Sequence, residues 1–222
     1  MQLTNNYNAA KEFYFSIPYA IVTTNMQLLI ATQNQTKVDR IRGILNSLDY
    51  PIELLSLNSF NIPEPDEPYS TFAENAFHKA NYYCKITGLQ TLSEDSGLCI
   101  NALNGFPGVR TKEFKEASGG IDAACADLQL RLKNLQDHSA YFICAACIIL
   151  PATNKILTAE GCLNGVISNT PFKDHGFDFE RIFMPDGHTK TLAEMDIRDK
   201  NQISHRYKAI KNLYEQLIKE PA

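Results

Sequence analysis

Leu28-Leu29-Ile30-Ala31-Thr32-Gln33-Asn34-Gln35-Thr36-Lys37-Val38 passes from an unbroken apolar run, across a short polar loop, into a helical pattern. The apolar run has the length and flanks of a buried strand. Beyond it Val38, Ile41, Leu45 and Leu48 recur three or four positions apart, the spacing of a helix that buries one stripe. Asn34 stands where an N-cap side chain accepts from first-turn amides. The unit is strand, tight loop, helix, and it leads to a mixed α/β fold.

Downstream, Ile52 to Leu57 reads as a second strand, and Ile62-Pro63-Glu64-Pro65-Asp66-Glu67-Pro68 can only be loop, because each proline removes a backbone donor and restricts its predecessor. A second helix opens at Thr71-Phe72-Ala73-Glu74 with capping-box spacing. Ala73, Ala76, Phe77, Ala80 and Cys84 line one of its faces, and Asn75 and Lys79 share another. Leu89 to Ser93 and Leu98 to Leu103 read as strands flanking Glu94-Asp95-Ser96-Gly97, a turn or strand end in which Gly97 supplies backbone freedom. A helix follows through Ile121, Leu128 and Leu132. Tyr141 to Leu150, the turn Pro151-Ala152-Thr153-Asn154 and Lys155 to Glu160 form a long hairpin whose apolar first arm is covered on both faces. Gly161 to Gly187 carries loops. A closing amphipathic helix begins near Ser204, with Ile203, Tyr207, Ile210, Tyr214 and Leu217 at helical spacing.

Neither repeats nor low-complexity linkers interrupt residues 26–222, which are expected to form a single domain. Upstream, Met1 to Asn25 lacks a clear period. It is a tail, an extra element, or sequence before a start at Met26, and this N-terminal extension of residues 1–25 is assigned no role.

The 222 residues are 44% hydrophobic and 21% charged, with no apolar stretch near the ~18 residues that would span a bilayer. A formal net charge of -4 is the wrong sign for a protein whose partner is a nucleic acid. The six cysteines are scattered through apolar segments and the first residues lack the pattern of a secretory leader. Neither membrane nor nucleic acid is therefore expected as a partner, and reduced thiols in a cytoplasmic protein are.

Two acidic pairs are candidates for chemistry: Asp66-Glu67 on the stiff loop and Glu94-Asp95 at the strand end. Carboxylate oxygens are what Mg²⁺ prefers, although such doublets are more often solvated surface. Lys37, Lys79, Lys112, Lys200 and the His205-Arg206 pair could together serve a triphosphate, although each lysine taken alone reads as a solubilising surface group. Lys37 adds charge to a helix N-terminus, which already favours anions. Thr32-Gln33-Asn34 before it contains no glycine, so the loop is not a Walker loop. Cys144 and Cys147 have redox or zinc spacing, but three residues apart in a strand they face opposite ways and no second pair completes four ligands. No nucleophile elbow occurs, and the adjacent Ser204 and His205 cannot form a triad. Phe177 and Phe179 carry flat rings that either stack on a purine or anchor their loop to the core.

Ala31 to Lys37, Thr71-Phe72-Ala73-Glu74-Asn75-Ala76-Phe77-His78-Lys79-Ala80, Glu94-Asp95-Ser96-Gly97-Leu98, Pro107-Gly108-Val109 and Lys200-Asn201-Gln202-Ile203-Ser204-His205-Arg206 occur in that order. Together they resemble the inosine triphosphate pyrophosphatase family from about Leu28 to Leu217. The resemblance implies an elongated mixed sheet flanked by helices, with two lobes around a central nucleotide cleft, and usually a homodimer. It implies hydrolysis of deaminated purine triphosphates such as ITP, dITP and XTP to the monophosphate and pyrophosphate, with Mg²⁺ as cofactor.

On the family's motifs, Thr32, Gln33, Asn34, Lys37 and Lys79 would hold phosphates, with Lys112 nearby. Glu67 and Asp95 would bind Mg²⁺. Asp95, with Glu94, would act on the attacking water, and Ser96 would contact substrate. Phe177, Asp178, Phe179 and Glu180, with Lys200, His205 and Arg206, would form the base pocket. Here the chain departs: the family reads Phe-Gly, an aromatic residue, then Asp-Pro, whereas this chain has Phe177-Asp178-Phe179-Glu180-Arg181. Two other classes compete: a nucleotide-binding regulatory protein with weak or altered base specificity, motivated by that loop, and a redox or zinc protein using Cys144 and Cys147.

Overall fold

The computed structural model describes residues 26–48, 52–170 and 176–220. The expected extension over 1–25 lies outside the described residues. β1 (Met26–Ile30) and α1 (Gln35–Ser47) form the opening unit read from the sequence. The Asn34 side chain accepts from the Lys37 amide, and Val38, Ile41, Ile44 and Leu45 are buried, with Leu48 packed at the margin of the same core. β2 (Ile52–Ser56) lies parallel to β1 on one side, and β3 (Thr91–Ile100) parallel to it on the other.

The crossover from β2 to β3 passes through the proline-rich loop and α2 (Phe72–Thr87). Thr71 Oγ1 accepts from the Glu74 amide at 3.2 Å, while the Glu74 carboxylate takes the Thr71 hydroxyl at 2.7 Å, so one arm of the expected capping box is replaced by a side-chain contact. The buried stripe is Ala76, Ala80, Tyr83 and Cys84, joined by the polar pair Asn75 and Lys79. Ala73 and Phe77, expected on the apolar face, are exposed instead.

Glu94-Asp95-Ser96-Gly97 is not a turn. It is the middle of β3, which pairs antiparallel without a break from Thr91↔Ile149 to Ile100↔Ala140. The polar run reads as a turn by propensity, but the sheet overrides it because partners for each side chain arrive from elsewhere in the fold. Gly97 serves by lacking a side chain: a Cβ there would lie 2.5 Å from the Gly108 carbonyl oxygen and 2.6 Å from Thr111 Oγ1.

Short β4 (Phe106–Pro107) pairs with the end of β3, and α3 (Thr111–Ala117) and α4 (Ile121–Leu132) follow. β5 (Ser139–Leu150) and β6 (Lys155–Ile167) form the long hairpin, with β7 (Phe183–Pro185) on the outer side of β6. The glycine-bearing stretch thus begins as strand: Gly161 and Gly165 leave room for the His205 and Met184 carbonyls rather than bending the chain. α5 (Ile197–Ile203) ends before Ser204, whose hydroxyl caps α6 (His205–Leu217) by accepting from the Tyr207 amide at 3.0 Å. The expected closing helix is therefore α6, and Ile203 belongs to α5.

The sheet runs β2-β1-β3-β5-β6-β7, with β4 on β3. Its two long central strands pass through both of the larger cores. Leu92 and Ile148 pack with α1 and α6 at one end, whereas Leu98, Ile100 and Phe142 pack with α4, Phe179 and Phe183 at the other. β5 is covered on both faces as expected. Cys144 belongs to the α1–α6 core, while Cys147 faces α2. All six cysteines are free thiols, and no helix among the described residues is long and apolar enough to cross a membrane.

Candidate active site

Between the two cores opens a cleft of about 390 Å³. One wall is the β1–α1 loop and first turns of α1, carrying Thr32, Gln33, Asn34 and Lys37. Gln33 also ties the proline-rich loop in place, its Nε2 donating to the Ile62 carbonyl at 3.0 Å. That loop brings Glu64 and Glu67 to the cleft. Strand alternation in β3 divides the floor. Asp95 takes partners from α2, and Glu94 and Ser96, on the opposite face, take theirs from α1 and α6.

On the α2 side, Lys79 is 4% exposed, and its Nζ stands 2.9 Å from Glu67 Oε1 and 3.7 Å from Asp95 Oδ1. Asn75 donates through Nδ2 to Asp95 Oδ2 at 3.2 Å and to the Tyr69 carbonyl at 3.3 Å, and accepts from the Tyr69 amide, so one side chain joins the loop to the floor. Burial raises the Asp95 carboxyl above its ordinary range. Lys79 opposes this, but the neighbouring Glu67 and Glu94 charges reinforce it. For Glu67, burial also acts upward but is outweighed by Lys79, with Lys37 and Lys112 adding to it, and the carboxyl is lowered. Burial acts against the Lys79 ammonium too, yet Asp95, Glu67 and Glu94 together hold it charged, above its usual value.

On the α6 side, Glu94 is 3% exposed and lies beneath the cleft rather than on its lining. Lys37 Nζ approaches its Oε1 at 3.2 Å, Arg206 Nε donates to the same oxygen at 3.2 Å, and the Cys144 thiol contacts Oε2 at 3.5 Å. Burial favours the neutral acid, but Arg206, Lys37 and Lys79 outweigh it and drive the Glu94 carboxyl far below the carboxylate range. Arg206 Nη2 also donates to Ser96 Oγ at 2.9 Å. His205 stacks on Phe142, with ring centroids 5.0 Å apart and 12° between planes, and its Nδ1 has no partner among the described residues. Burial and the Arg206 charge push its pKa well below the usual value, so the ring is neutral.

The far wall is the turn Asp178–Arg181 with Phe177 before it. Phe179 is buried and stacks on Phe114 at 6.1 Å, anchoring the loop. Phe177 instead lies under the Arg40 guanidinium, whose Cζ is 4.4 Å from the ring centroid. Asp178 adopts a left-handed φ of 46° and is held by Lys115 Nζ at 2.7 Å. Glu180 is buried between Arg40 Nη1, at 2.9 Å from Oε1, and Lys200 Nζ, at 2.8 Å from Oε2.

Residues 28–216 match the family model described as the Ham1 family. The chain belongs to the Ham1 family. It is 38% identical over 191 residues to the dITP/XTP pyrophosphatase of Streptomyces coelicolor, covering 84% of this chain and 94% of that protein. It is 36% identical over 194 residues to that of Geobacter sulfurreducens, covering 86% and 96%. Among solved structures, a HAM1 protein from Coxiella burnetii aligns with a TM-score of 0.78 at 32% identity, covering 88% of this chain and all of that one. A nucleoside-triphosphatase / dITP/XTP pyrophosphatase from Mycobacterium abscessus aligns at 0.71, also at 32% identity, over 86% of this chain. The resemblance carried by the sequence motifs is thereby borne out.

Within this Ham1 fold the cleft gathers fifteen of the seventeen residues to which the family resemblance gives a role; Glu94 lies beneath it, Lys200 spends its ammonium on Glu180, and Asp66 of the first acidic pair is also off the lining. Arg40, Lys115, Glu64 and Phe142 line the cleft and were not anticipated. Arg40 and Lys115 each follow a chosen lysine, Lys37 and Lys112, by three positions, the spacing that puts side chains on one helix face. That signal was present in α1; α3 itself was not foreseen, and without a helix the second pair carried no meaning.

Proposed function

We propose that this chain hydrolyses deaminated purine nucleoside triphosphates, such as ITP, dITP and XTP, to the monophosphate and pyrophosphate, with Mg²⁺ as cofactor. The observation that carries the reading is the convergence of Glu67 and Asp95 on the buried Lys79, beside a lysine-bearing helix N-terminus. Two carboxylates next to several cations suit a magnesium triphosphate: Mg²⁺ is commonly held by one or two carboxylates plus substrate phosphates. The names of the relatives, dITP/XTP pyrophosphatases, support the same substrate class.

Glu67 and Asp95 fit Mg²⁺ chemically, as hard oxygen donors that face the cleft on either side of Lys79. Bound there, Mg²⁺ would neutralise phosphate charge and acidify a water. In this reading Thr32, Gln33 and Asn34 hold phosphate oxygens through loop and helix amides, with Lys37, Lys79 and Lys112 supplying charge. Asp95 accepts a proton from the attacking water, whose oxygen bonds to the α-phosphorus as the bond to the bridging oxygen breaks and pyrophosphate departs. A carboxyl raised toward neutrality is the better base for that step. Glu94 acts by fixing Lys37 and Arg206. Ser96, held by Arg206, and the neutral His205 face the substrate near Phe177.

The six free thiols suit a reducing cytoplasmic setting, and the family resemblance suggests a homodimer as the working unit. Pyrophosphate release with Mg²⁺ tests the proposal: ITP should be turned over far faster than ATP. Equal rates would remove the base preference, and no release would remove the activity.

A further inference from the structure

Beyond the lysines and Arg206, the cleft wall holds a further cation, Arg40. Arg40 lies three positions after Lys37 on α1, on the same face and farther from the helix N-terminus. Its Nη1 is bound to Glu180 Oε1 and its Cζ sits over Phe177. Because Lys200 takes the other oxygen of Glu180, the carboxylate that orients the guanidinium is itself fixed. Among the described residues nothing accepts from Nε or Nη2, although the side chain lines the cleft. The guanidinium is thus held in position with donors unspent, over the Phe177 ring in the cleft that His205 also lines.

A guanidinium is a planar fork of donors with no acceptor. A 6-oxopurine presents O6 and N7, two acceptors side by side, whereas adenine presents N7 beside a 6-amino donor. We propose that Arg40 is a specificity-determining residue, its free donors reading the O6/N7 edge of the base and opposing the 6-amino group of adenine. The inference rests on the nucleotide reading of the cleft and deepens it by naming the side chain that reads the base. It concerns the 6-position only; the 2-substituent lies beyond that edge.

The test compares wild type with Arg40→Met, which keeps length without donors, and Arg40→Lys, which keeps charge without the fork. Arg40 is partly exposed on a helix surface, so both variants are expected to fold, which melting curves check. The kcat/KM ratio of ITP to ATP should fall at least about tenfold in both variants, through loss on ITP, in line with the discrimination of a bidentate contact. An unchanged ratio overturns the inference. So does an equal loss on both substrates that Arg40→Lys restores, since that would make Arg40 a charge for the phosphates. If wild type releases no pyrophosphate from either substrate, the proposed function fails by itself. Calorimetry with IMP and AMP on the same three proteins then reads Arg40 independently: a tighter IMP affinity lost in both variants supports it, and an unaltered IMP/AMP ratio rejects it.

Discussion

Glu94 and Asp95 are chain neighbours with the same charge, and strand alternation sends them to opposite environments. Burial, reinforced by Glu67 and Glu94, raises Asp95 against the pull of Lys79 and Lys37; burial also acts upward on Glu94, but Arg206, Lys37 and Lys79 outweigh it and the carboxyl is depressed. The signs of the two predictions follow. A carboxyl raised in the folded state costs stability once ionised, so Asp95→Asn should melt at or above the wild-type temperature at pH 7.5 while losing about 10²–10⁴ in kcat. Circular dichroism and a pyrophosphate assay on one preparation check both, and near-normal turnover would remove Asp95 from the chemistry. A depressed carboxyl contributes stability that is fully present above its unfolded pKa and is lost progressively as pH falls from there through the folded value. Glu94→Gln should therefore cost about 3–5 kcal/mol near neutral pH, because it leaves Lys37 and Arg206 beside an uncharged group. In denaturant titrations the deficit should hold down to about pH 5 and shrink steadily below it, and a deficit already gone at pH 5 would mean that Glu94 is not held ionised.

At the level of elements, the parts legible in sequence were those whose burial is written in their own residues. α1 announces itself by Asn34, Val38, Ile41 and Leu45, and β5 by an apolar run with two covered faces. β3 did not, because its centre is polar: Glu94 and Asp95 are buried, and Ser96 half-buried, only by virtue of Arg206, Lys37, Lys79 and Asn75, which arrive from three helices. The glycines misled in the same way. Gly97 and Gly161 have no positive φ and serve close approach, which depends on what packs against them. Gly97→Ala isolates this effect, since its Cβ would collide with the Gly108 carbonyl, a backbone group that cannot rotate away. The segment Gly108–Thr111 must then lift from β3, and Lys112 with it. The expected result is a melting temperature lower by several degrees, a loss of about 1–3 kcal/mol as for other overpacked sites, together with a raised KM for triphosphate. A variant with wild-type melting and kinetics would show that the close approach is not needed.

Across the whole molecule, the cleft exists because β3 and β5 are long enough to serve two cores, leaving a gap that α1, α3, the proline-rich loop and the Phe177–Arg181 turn enclose. The motifs proposed to hold phosphate were readable because each lies on one element. The residues proposed for the base pocket were named as well, but the pairs between elements that hold them were not: Arg40 with Glu180, Lys115 with Asp178, Lys200 with Glu180. These pairs also give the altered loop a physical rationale, as its two acidic residues each find a cation on a neighbouring helix. Every group assigned to the cleft lies between Thr32 and Arg206, and the family match spans 28–216. Among the described residues, β1 pairs with β2 from Met26 onward. Deleting residues 1–25 should therefore leave the ITP kcat/KM within about twofold of the full chain and the melting temperature within a few degrees, because no described core or cleft contact is removed. A large loss of turnover with unchanged melting would place part of the substrate site in the extension; a collapse of melting would make it part of the folded domain.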